Sequence, residues 1–358
     1  MYKDSEISAT KVLIVKTSAL GDIVQAFNVL DYLHNRFPNI QIDWVVEQSL
    51  VSLVRAHPLV HQAVALDIRG LKKSWKHLIA TIRILRKKRY DLLFDLQGNC
   101  KSGVITLLSR SRVKVGFGWN SVRERPNLFF TRHHFDVPKS QNIRLQYVGL
   151  VQQYFNDSSL IEAGGVRFNI PLDEQEKVRQ ILSNPKLKSP MRVMVCPGSK
   201  WVNKQLPLET LSQFLAKIQT DYQASFLLMW GAEEERAFCT ELQARFPSTS
   251  QVIDKLSLPT WQNLMNEVQL VIAVDSSALH LCGTTPIPSF SLFGPTSPNI
   301  FKPIGHRHYS LQGPCPYGRT FEKACPILRT CPTGSCIRSL SADAIYESFS
   351  GWWKTLSK

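Results

Sequence analysis

The sequence predicts an α/β protein made of two doubly wound halves, each a parallel sheet with helices on both faces. Short, continuously apolar runs alternate with amphipathic stretches along most of the chain, which is the pattern of repeated strand–helix–strand units. The run KVLIVKTS at 11–18 is echoed by RVMVCPGS at 192–199, and a polar stretch that ends in two glycines lies between them at 156–165. The length of 358 residues also suits about two domains.

In the first half, aliphatic and β-branched runs predict five strands, and apolar residues at helical spacing predict the helices between them. Residues 12–15 are continuously apolar, as expected for a strand that is buried on both faces. The predicted strands are 12–16, 42–47, 63–66, 92–96 and 113–116. The predicted helices are 23–37, 72–88, 102–109 and 142–155.

The same pattern restarts after the 156–165 linker. A last helix should begin after a Ser341 cap, and Trp352 and Trp353 should give it an apolar face that packs back on a domain. The predicted strands are 192–196, 226–230, 270–274 and 289–293. The predicted helices are 208–219, 233–245, 276–282 and 343–354.

The charge balance predicts an anionic partner. The formal net charge is +15, from 43 Lys and Arg against 28 Asp and Glu, which suits nucleic acid, anionic lipid or a phosphorylated substrate. Between Arg69 and Arg89, nine basic residues occur without a single acid. Residues 1–10 are polar and mixed in charge, and no run of about 18 apolar residues occurs. We therefore expect a cytoplasmic protein.

The eight cysteines fall into two groups. Four are scattered among apolar or small residues, as reduced core thiols are, at positions 100, 196, 239 and 282. The other four are Cys315, Cys325, Cys331 and Cys336, in one Pro-rich segment. Their gaps of nine, five and four residues differ from the paired CxxC of a zinc ribbon, so a loop of reduced thiols is favoured over a structural metal.

The turn after the first predicted strand carries a carboxylate. The apolar run ends at Thr17 and Ser18, passes through Gly21 and Asp22, and resumes at helical spacing. Ligands of such folds bind beyond the carboxyl ends of parallel strands, so Asp22 lies where chemistry can occur. An Asp in a first helical turn is nevertheless more often a partner of the helix dipole.

Two strand ends in the second half suit a phosphate group. In VDSSALH at 274–280, a strand ends at Asp275 and a helix begins with small residues, whose N–H groups can face an anion. In PGSKWVNKQLP at 197–207, a strand end leads into a loop with two lysines. Taken singly, Asp275 is equally typical of a helix cap, His280 is more typical of a packed helix residue, and Lys204 is more typical of a solvated charge.

Other phosphate motifs are missing from the sequence. It has neither a Walker loop nor a complete GxGxxG, which disfavours P-loop kinases and typical nicotinamide dehydrogenases. It also has no Asp-x-Asp, one common way of holding a divalent metal on a nucleotide diphosphate. Diphosphate charge would then be met by backbone N–H groups and a basic side chain.

An ordered set of motifs runs over nearly the whole chain. In the first half these motifs are KTSALGD at 16–22, IDWVVE at 42–47, FDLQGNCKSG at 94–103 and GFGWNSVRER at 116–125. In the second half they are the 197–207 block, WGA at 230–232, VDSSALHL at 274–281, FGPT at 293–296 and CPTGSCI at 331–337. In this order the motifs resemble those of the heptosyltransferases of lipopolysaccharide core synthesis.

The resemblance implies a GT-B fold, in which two Rossmann-like domains face a central cleft. An acceptor-binding domain is expected at 1–165 and a nucleotide-sugar donor-binding domain at 166–340, while the helix at 341–358 packs back, with the N-terminal domain as one candidate surface. The implied activity is an inverting transfer of heptose from ADP-L-glycero-D-manno-heptose to Kdo or heptose of the lipopolysaccharide inner core. It implies no metal and no other cofactor.

The resemblance also assigns residues. Asp22 falls on the proposed general base, Lys204 on a phosphate-binding lysine and Asp275 on a carboxylate that contacts the donor sugar. Ser277 stands where the family commonly has a glycine, which would allow closer backbone approach. The further implied donor-site residues are Ser199, Glu234, Leu256, Ser276 and His280, with Glu233 and Glu235 as alternatives to Glu234. The implied acceptor-site residues are Ser18, Gly21, Arg69, Lys72, Lys73, Gln97 and Arg123.

The expected partners are an ADP-sugar, a lipid A–Kdo type acceptor and the anionic inner face of the inner membrane, with the protein as a monomer. One alternative is the same fold with another sugar nucleotide or another surface-polysaccharide acceptor. A nonhydrolysing sugar-nucleotide epimerase also has two such domains, but the ordered motifs argue against it. A nucleic-acid-binding protein would explain the charge, although no helix-turn-helix, zinc-finger or RNA-recognition signature occurs. A noncatalytic binding module would need neither Asp22 nor the donor-site residues.

Overall fold

The computed structural model describes residues 11–67, 75–160 and 165–356, without the side chains of residues 75–78. The chain divides into two compact units, Met1–Ala163 and Gly164–Lys358. Each unit is built around one six-stranded sheet in which every pair of neighbouring strands is parallel. None of the described helices is both long and apolar enough to cross a membrane.

The first unit has the strand order β3-β2-β1-β4-β5-β6. Its strands are β1 Lys11–Val15, β2 Gln41–Glu47, β3 Gln62–Leu66, β4 Arg89–Asp95, β5 Arg110–Phe117 and β6 His133–Phe135. Its helices are α1 Leu20–Ala26, α2 Asn28–Arg36, α3 Val51–Ala56, α4 Trp75–Arg86, α5 Cys100–Leu108 and α6 Ile143–Phe155, with 3-10 turns at Gln48–Leu50 and Arg125–Phe130.

The second unit repeats this design with the order β12-β11-β10-β7-β8-β9. Its strands are β7 Met191–Cys196, β8 Ala224–Leu228, β9 Ser250–Val252, β10 Leu270–Val274, β11 Ser289–Phe293 and β12 His308–Gln312. Its helices are α7 Leu172–Leu182, α8 Leu208–Tyr222, α9 Glu233–Arg245, α10 Leu258–Met265, α11 Ser277–Cys282, α12 Pro298–Phe301, α13 Ser335–Arg338 and α14 Ala342–Leu356, with 3-10 turns at Pro185–Leu187 and Val202–Lys204.

The strand order of each sheet reverses direction once. In the first sheet, the chain winds outward from β1 to β3 and then returns to place β4 on the other side of β1. In the second sheet, the equivalent reversal lies between β7 and β10. Loops that follow the two strands at a reversal point diverge and leave a crevice, which is where doubly wound sheets bind ligands.

The predicted strands with continuous apolar runs are buried, as expected. Val12 to Val15 of β1 are almost wholly inaccessible, and every residue of β10 is buried. Every residue of β11 is buried as well, although its sequence SFSLF contains two serines. Strands β6 and β9 are only three residues long, and they and β12 were not among the predicted strands. Helices α3, α7, α10, α12 and α13 were also not predicted.

The single helix predicted at 23–37 is wrong, because the structure has two helices that meet at Phe27. No Gly or Pro marks this break. The Phe27 N–H bonds to the Val24 carbonyl at 3.2 Å, and the Phe27 carbonyl accepts from Leu30 at 2.8 Å, both with the tight spacing of three residues. The Phe27 ring packs edge-on against Trp44 at 5.4 Å. We infer that this packing anchors the tightened turn.

The C-terminal helix α14 packs on its own unit. It lies against α8 and β12, and Ser341 Oγ accepts from the Ala344 N–H at 3.2 Å, in agreement with the predicted cap. Phe349 is fully buried, with its ring edge-on to Phe214 at 5.9 Å and to Phe290 at 5.4 Å. These aromatic contacts join α14 to the main core of the second unit.

We expect Phe349→Ala to lower the free energy of unfolding of the second unit by about 3–5 kcal/mol, because it leaves a cavity beneath α14. Urea denaturation followed by tryptophan fluorescence measures this change. Leu172→Ala is the control, since Leu172 is apolar but exposed in the same unit and should change stability by no more than about 0.5 kcal/mol. Equal effects of the two substitutions would contradict the packing described here.

Candidate active site

A charged cluster lies beyond the end of β1 in the first unit. Asp22 is in the first turn of α1, and its side chain is 38% exposed. The Lys16 Nζ lies 3.8 Å from its carboxylate, and Lys16 itself is only 3% exposed. The same ammonium lies 4.8 Å from the centre of the Tyr147 ring. The Asp22 carboxylate is therefore partly exposed and lies next to the buried ammonium of Lys16. It also lies near the N-terminus of α1.

Tyr147 connects this cluster to α6. Burial raises the pKa of the Tyr147 hydroxyl well above 10.0, and the negative charge of Asp22 raises it further, while Arg123 acts in the opposite direction. The phenol thus stays protonated and can donate a hydrogen bond at neutral pH. Asp22 and Arg123 each lie within electrostatic range of Tyr147.

The loop after β4 is fastened to the loop after β1. Gln97 Oε1 accepts from the backbone N–H groups of Thr17 at 3.2 Å and Ser18 at 3.3 Å. The buried carboxylate of Asp95 holds Gln97 in turn, because it accepts from the N–H groups of Gln97 at 2.9 Å and Gly98 at 3.0 Å. The two loops that flank the β1/β4 reversal point are therefore one hydrogen-bonded unit.

The structure places the predicted acceptor-site residues as follows. Ser18 and Gly21 are half-buried beside Asp22, Gln97 is buried in the contact just described, and Arg123 is exposed. Arg123 is adjacent to Glu124, whose N–H bonds to the Gly98 carbonyl at 3.0 Å, so this third loop joins the same edge of the sheet. The predicted residues Arg69, Lys72 and Lys73 lie outside the described residues.

In the second unit, a buried carboxylate lies at the reversal point between β7 and β10. Asp275 follows β10 and is 5% exposed. Lys204, from the loop after β7, places its Nζ 2.6 Å from Asp275 Oδ2, and the Thr296 hydroxyl donates to the same oxygen at 2.6 Å. The His280 Nε2 lies 3.8 Å from the other oxygen. Lys204, Asp275 and His280, which sequence predicted separately, therefore come together with Thr296 as one cluster.

The cluster keeps Asp275 ionised. Burial by itself would raise the pKa of this carboxyl group. The charges of Lys204 and His280 and the hydrogen bonds from Lys204 and Thr296 outweigh that effect and hold the pKa below the ordinary 3.8. A buried carboxylate that is paired in this way fixes the position of the lysine ammonium.

The serines beside the cluster differ in exposure. The buried Oγ of Ser276 has no hydrogen-bond partner within the part of the chain that the structure describes. Ser277 is exposed and begins α11. Ser199 is half-buried, and its carbonyl accepts from Gln205 Nε2 at 2.6 Å. A buried hydroxyl without a hydrogen-bond partner is unusual.

The glutamates at the start of α9 have different environments. Glu235 Oε2 accepts from the Gly231 N–H at 2.7 Å, and its carboxylate lies against Gly198, so close that a Cβ at Gly198 would be 2.2 Å from the Glu235 carboxyl carbon. Glu234 is exposed, and Leu256 is half-buried in the loop before α10. Of the two glutamates, Glu234 has the freer carboxylate.

Sequence reasoning missed several residues of these clusters. Lys16 and Thr296 lay inside quoted motifs at strand ends, and that position is the signal that could have marked them. Tyr147 carries no such signal, because it lies within helix α6 and reaches the cluster through packing.

The four late cysteines line one small cavity, with a volume of about 20 Å³, together with Asn203 and Pro295. None of the eight cysteines forms a disulfide. Within the described ranges, no group of three or more His, Cys, Asp and Glu side chains is arranged to hold a metal ion.

Comparison with known proteins finds a matching family and several similar proteins. Residues 78–330 match glycosyltransferase family 9 (heptosyltransferase). The chain is 29% identical over 307 residues to lipopolysaccharide heptosyltransferase 1 of Campylobacter coli, covering 82% of this chain and 86% of that protein. It is also 29% identical over 324 residues to lipopolysaccharide heptosyltransferase 1 of Pseudomonas aeruginosa, covering 88% and 87%.

The fold is similar to that of the E. coli heptosyltransferase WaaC. With WaaC solved with ADP, the TM-score is 0.76 at 23% identity, over 96% of this chain and 99% of WaaC. With WaaC solved with ADP-2-deoxy-2-fluoro heptose, the TM-score is 0.74 at 23% identity, over 95% and 99%.

Two Rossmann-like units, each with charged side chains where its strand order reverses, define the GT-B fold class. The chain belongs to glycosyltransferase family 9. The predictions of the fold class, of the family and of a glycosyltransferase are thereby confirmed. The roles of the individual site residues remain predictions.

We expect Asp275→Asn to lower the free energy of unfolding by about 3 kcal/mol near neutral pH, because it leaves Lys204 without its buried counter-charge. A carboxyl group whose pKa is depressed by folding stabilises the protein above pH 3.8 and loses this effect as the pH falls through its folded pKa. The difference from wild type should therefore shrink below pH 3.8. Urea denaturation from pH 7 to pH 3 measures it.

The matched control is Asp343→Asn, which breaks the exposed ion pair with Lys217 in the same unit. Exposed pairs contribute little, so this variant should follow the wild type at every pH. A difference between Asp275→Asn and wild type that did not vary with pH would contradict the buried-pair interpretation.

Proposed function

We propose that the protein is an inverting, metal-independent heptosyltransferase that moves heptose from ADP-L-glycero-D-manno-heptose to Kdo or heptose of the lipopolysaccharide inner core. Membership of glycosyltransferase family 9 supports it, as do relatives named lipopolysaccharide heptosyltransferase 1 and the likeness to WaaC solved with an ADP-heptose analogue. The observation that carries the proposal is the Lys204–Asp275 contact of 2.6 Å at a reversal point of strand order, a cation held where a diphosphate would bind.

On the donor side, Lys204 faces the diphosphate. Asp275 and Thr296 hold the lysine ammonium in place before the donor arrives, so little reorganisation is needed as charge develops on the leaving ADP. The Ser276 hydroxyl is available as a further donor to a phosphate oxygen. The exposed Glu234 is assigned to the ribose hydroxyls, and Leu256 to the adenine.

We propose that these donor-side residues make a metal ion unnecessary for the reaction. A lysine ammonium and hydroxyl groups can neutralise the departing diphosphate without a divalent cation. The sequence also has no Asp-x-Asp motif to hold such a cation.

On the acceptor side, Asp22 acts as the general base. Its carboxylate takes the proton from an acceptor hydroxyl as that oxygen attacks the anomeric carbon, the bond from this carbon to the ADP oxygen breaks, and ADP leaves. Attack opposite to the leaving group inverts the configuration. Lys16 lies between Asp22 and the Tyr147 ring and holds the carboxylate from below, and Arg123 is assigned to an anionic acceptor sugar.

A lipid-linked acceptor implies that the enzyme acts at a membrane. The first unit has a surface that is suited to contact with a membrane. Leu107 and Val104 of α5 and Phe129 of the Arg125–Phe130 turn are apolar but exposed, with Phe129 at 88%. The turn packs on α5, where the Phe130 ring lies against Gly103. We name this surface, defined by Val104, Leu107 and Phe129, the apolar face.

The chain around the apolar face is strongly basic. Residues 79–132 contain twelve Lys and Arg but only three Asp and Glu, of which Asp95 is buried. Exposed apolar side chains in a segment rich in cations suit the headgroup region of an anionic bilayer, where each well-placed cation adds about 1 kcal/mol. We therefore propose a cytoplasmic monomer that binds peripherally to the inner face of the inner membrane.

The proposed reaction is tested by incubating the protein with ADP-heptose and a Kdo-terminated lipid A acceptor. Mass spectrometry of the product should show the addition of one heptose, with or without a chelator. Transfer from another nucleotide sugar instead of ADP-heptose would favour the same fold with a different donor.

We expect Asp22→Asn to reduce the rate of transfer by about 10²–10⁴-fold, because the amide cannot accept the acceptor proton. ADP binding, measured by calorimetry, should stay close to that of the wild type, since donor contacts are assigned to the second unit. Asp173→Asn is a matched control, because Asp173 is also an acid in the first turn of a helix but is largely exposed. Full activity of Asp22→Asn would remove Asp22 from the role of base.

We expect the double substitution Leu107→Ser and Phe129→Ser to weaken binding to vesicles containing phosphatidylglycerol by about tenfold or more, because two apolar side chains no longer enter the bilayer. Vesicle co-sedimentation measures the binding. Leu172→Ser, an exposed leucine of the second unit, should bind like the wild type. Transfer to a soluble, deacylated acceptor should be unchanged in both variants.

Light scattering checks the same variants for assembly. The expected result is a monomer in every case. A wild-type dimer that the double substitution dissociates would instead make the apolar face an interface between two copies of the chain.

A further inference from the structure

The segment at 315–336, which contains the four late cysteines and which we call the cysteine loop, has no role in the reaction described above. It nevertheless lies beside the donor-side cluster. Asn203 and Pro295 line the same small cavity as the four thiols. Asn203 precedes Lys204 in the chain, and Pro295 precedes Thr296, so both neighbours of the cavity are adjacent to residues that hold Asp275.

The cysteine loop holds the Lys204 side of the cluster through Asn203. The Nδ2 group of Asn203 donates to the backbone carbonyls of Leu328 and Cys331, each at 2.9 Å. Gly334, with a φ of +58°, lies so close that a Cβ there would be 2.7 Å from Asn203 Oδ1. A glycine is therefore needed at this position for both its conformation and its contact. The guanidinium of Arg329 also lies 4.8 Å from the ring centre of Trp201.

The cysteine loop also holds the Thr296 side. Thr296 and Ala324 form an isolated antiparallel bridge. The Cys325 N–H donates to the Pro295 carbonyl at 2.7 Å, and the Ser297 N–H donates to the Lys323 carbonyl at 3.0 Å. The segment that carries Lys204 and the segment that carries Thr296 are therefore both hydrogen-bonded to the backbone of the cysteine loop.

We propose that the cysteine loop is a brace that positions Lys204 and Thr296 around Asp275, and that Asn203 is the positioning residue through which it holds the lysine. The inference deepens the proposed function and rests on it, because it takes the cluster as the binding site for the donor diphosphate. A lysine side chain has four rotatable carbon–carbon bonds, so ordering its ammonium costs conformational entropy. A backbone that is already fixed on either side of the cluster reduces the total entropy that is lost when the ammonium is ordered. The brace acts through backbone carbonyls and does not require the thiols themselves.

The test compares three variants of the full chain. Asn203→Leu keeps the branched shape but removes the Nδ2 donor. Asn184→Leu is the control, because Asn184 lies in the same unit and its Nδ2 donates to Gln251 Oε1 at 2.8 Å, away from the cluster. Cys331→Ser changes the thiol but leaves in place the carbonyl that Asn203 binds.

We expect Asn203→Leu to raise the dissociation constant of ADP and the KM for ADP-heptose by about tenfold, corresponding to about 1.4 kcal/mol. The KM for the acceptor should stay constant. Asn184→Leu should lower the thermal midpoint without changing the KM for ADP-heptose, and Cys331→Ser should keep a KM for ADP-heptose within about twofold of the wild type.

Three results would contradict the proposal that the cysteine loop acts as a brace. One is an unchanged dissociation constant of ADP in an active Asn203→Leu enzyme. Another is a rise in both KM values together with a lower thermal midpoint, which would indicate general structural damage. The third is an effect of Cys331→Ser as large as that of Asn203→Leu, which would place the function in the thiol. Failure of the proposed function differs from all three, since the wild type itself would then transfer no heptose.

Discussion

The burial of the Asp275 carboxylate is the constraint on which the second unit depends. A carboxylate that is 5% exposed would be costly if it stood alone, because it has lost most of its hydration. The Lys204 ammonium and the Thr296 hydroxyl, each at 2.6 Å, compensate for that loss, and removal of either leaves a buried charge short of partners. The loops after β7, β10 and β11 therefore have to meet at one point, and the donor-side cluster is the result.

The first unit uses a buried carboxylate in a different way. Asp95 is fully buried at the end of β4, and its partners are backbone N–H groups and neutral side chains, with Ser102 Oγ at 2.8 Å and Asn127 Nδ2 at 2.7 Å. Burial raises its pKa, and those hydrogen bonds only partly offset the effect. Asp95 thus fixes the loop that carries Gln97, whereas the carboxylate of Asp22 is partly exposed. The buried carboxylate of Asp275 is paired with a cation, whereas that of Asp95 is held by dipoles.

Much of the fold could be predicted from local pattern. Continuous apolar runs marked β1, β7 and β10, because a strand covered on both faces needs such residues along its whole length. Local sequence pattern did not predict elements that are very short or whose ends are set by side-chain packing. Strands β6 and β9 have three residues each, too few for a period to show, and the break at Phe27 follows from ring contacts with Trp44 and not from a local breaker. The Asn203 contacts depend on a loop more than a hundred residues further along the chain.

The sequence by itself determined the α/β class, the division into two similar halves and the positions of Asp22, Lys204 and Asp275 at strand ends. Each of these is a property of neighbouring residues, since periodicity and strand ends are written into short stretches of the chain. Only the tertiary structure decided which of these charges meet. Lys204 and Asp275 are 71 residues apart in sequence, and their contact exists because β10 lies next to β7 in the second sheet. Thr296, Tyr147 and Asn203 belong to the clusters for the same reason, because strand order and helix packing place them there.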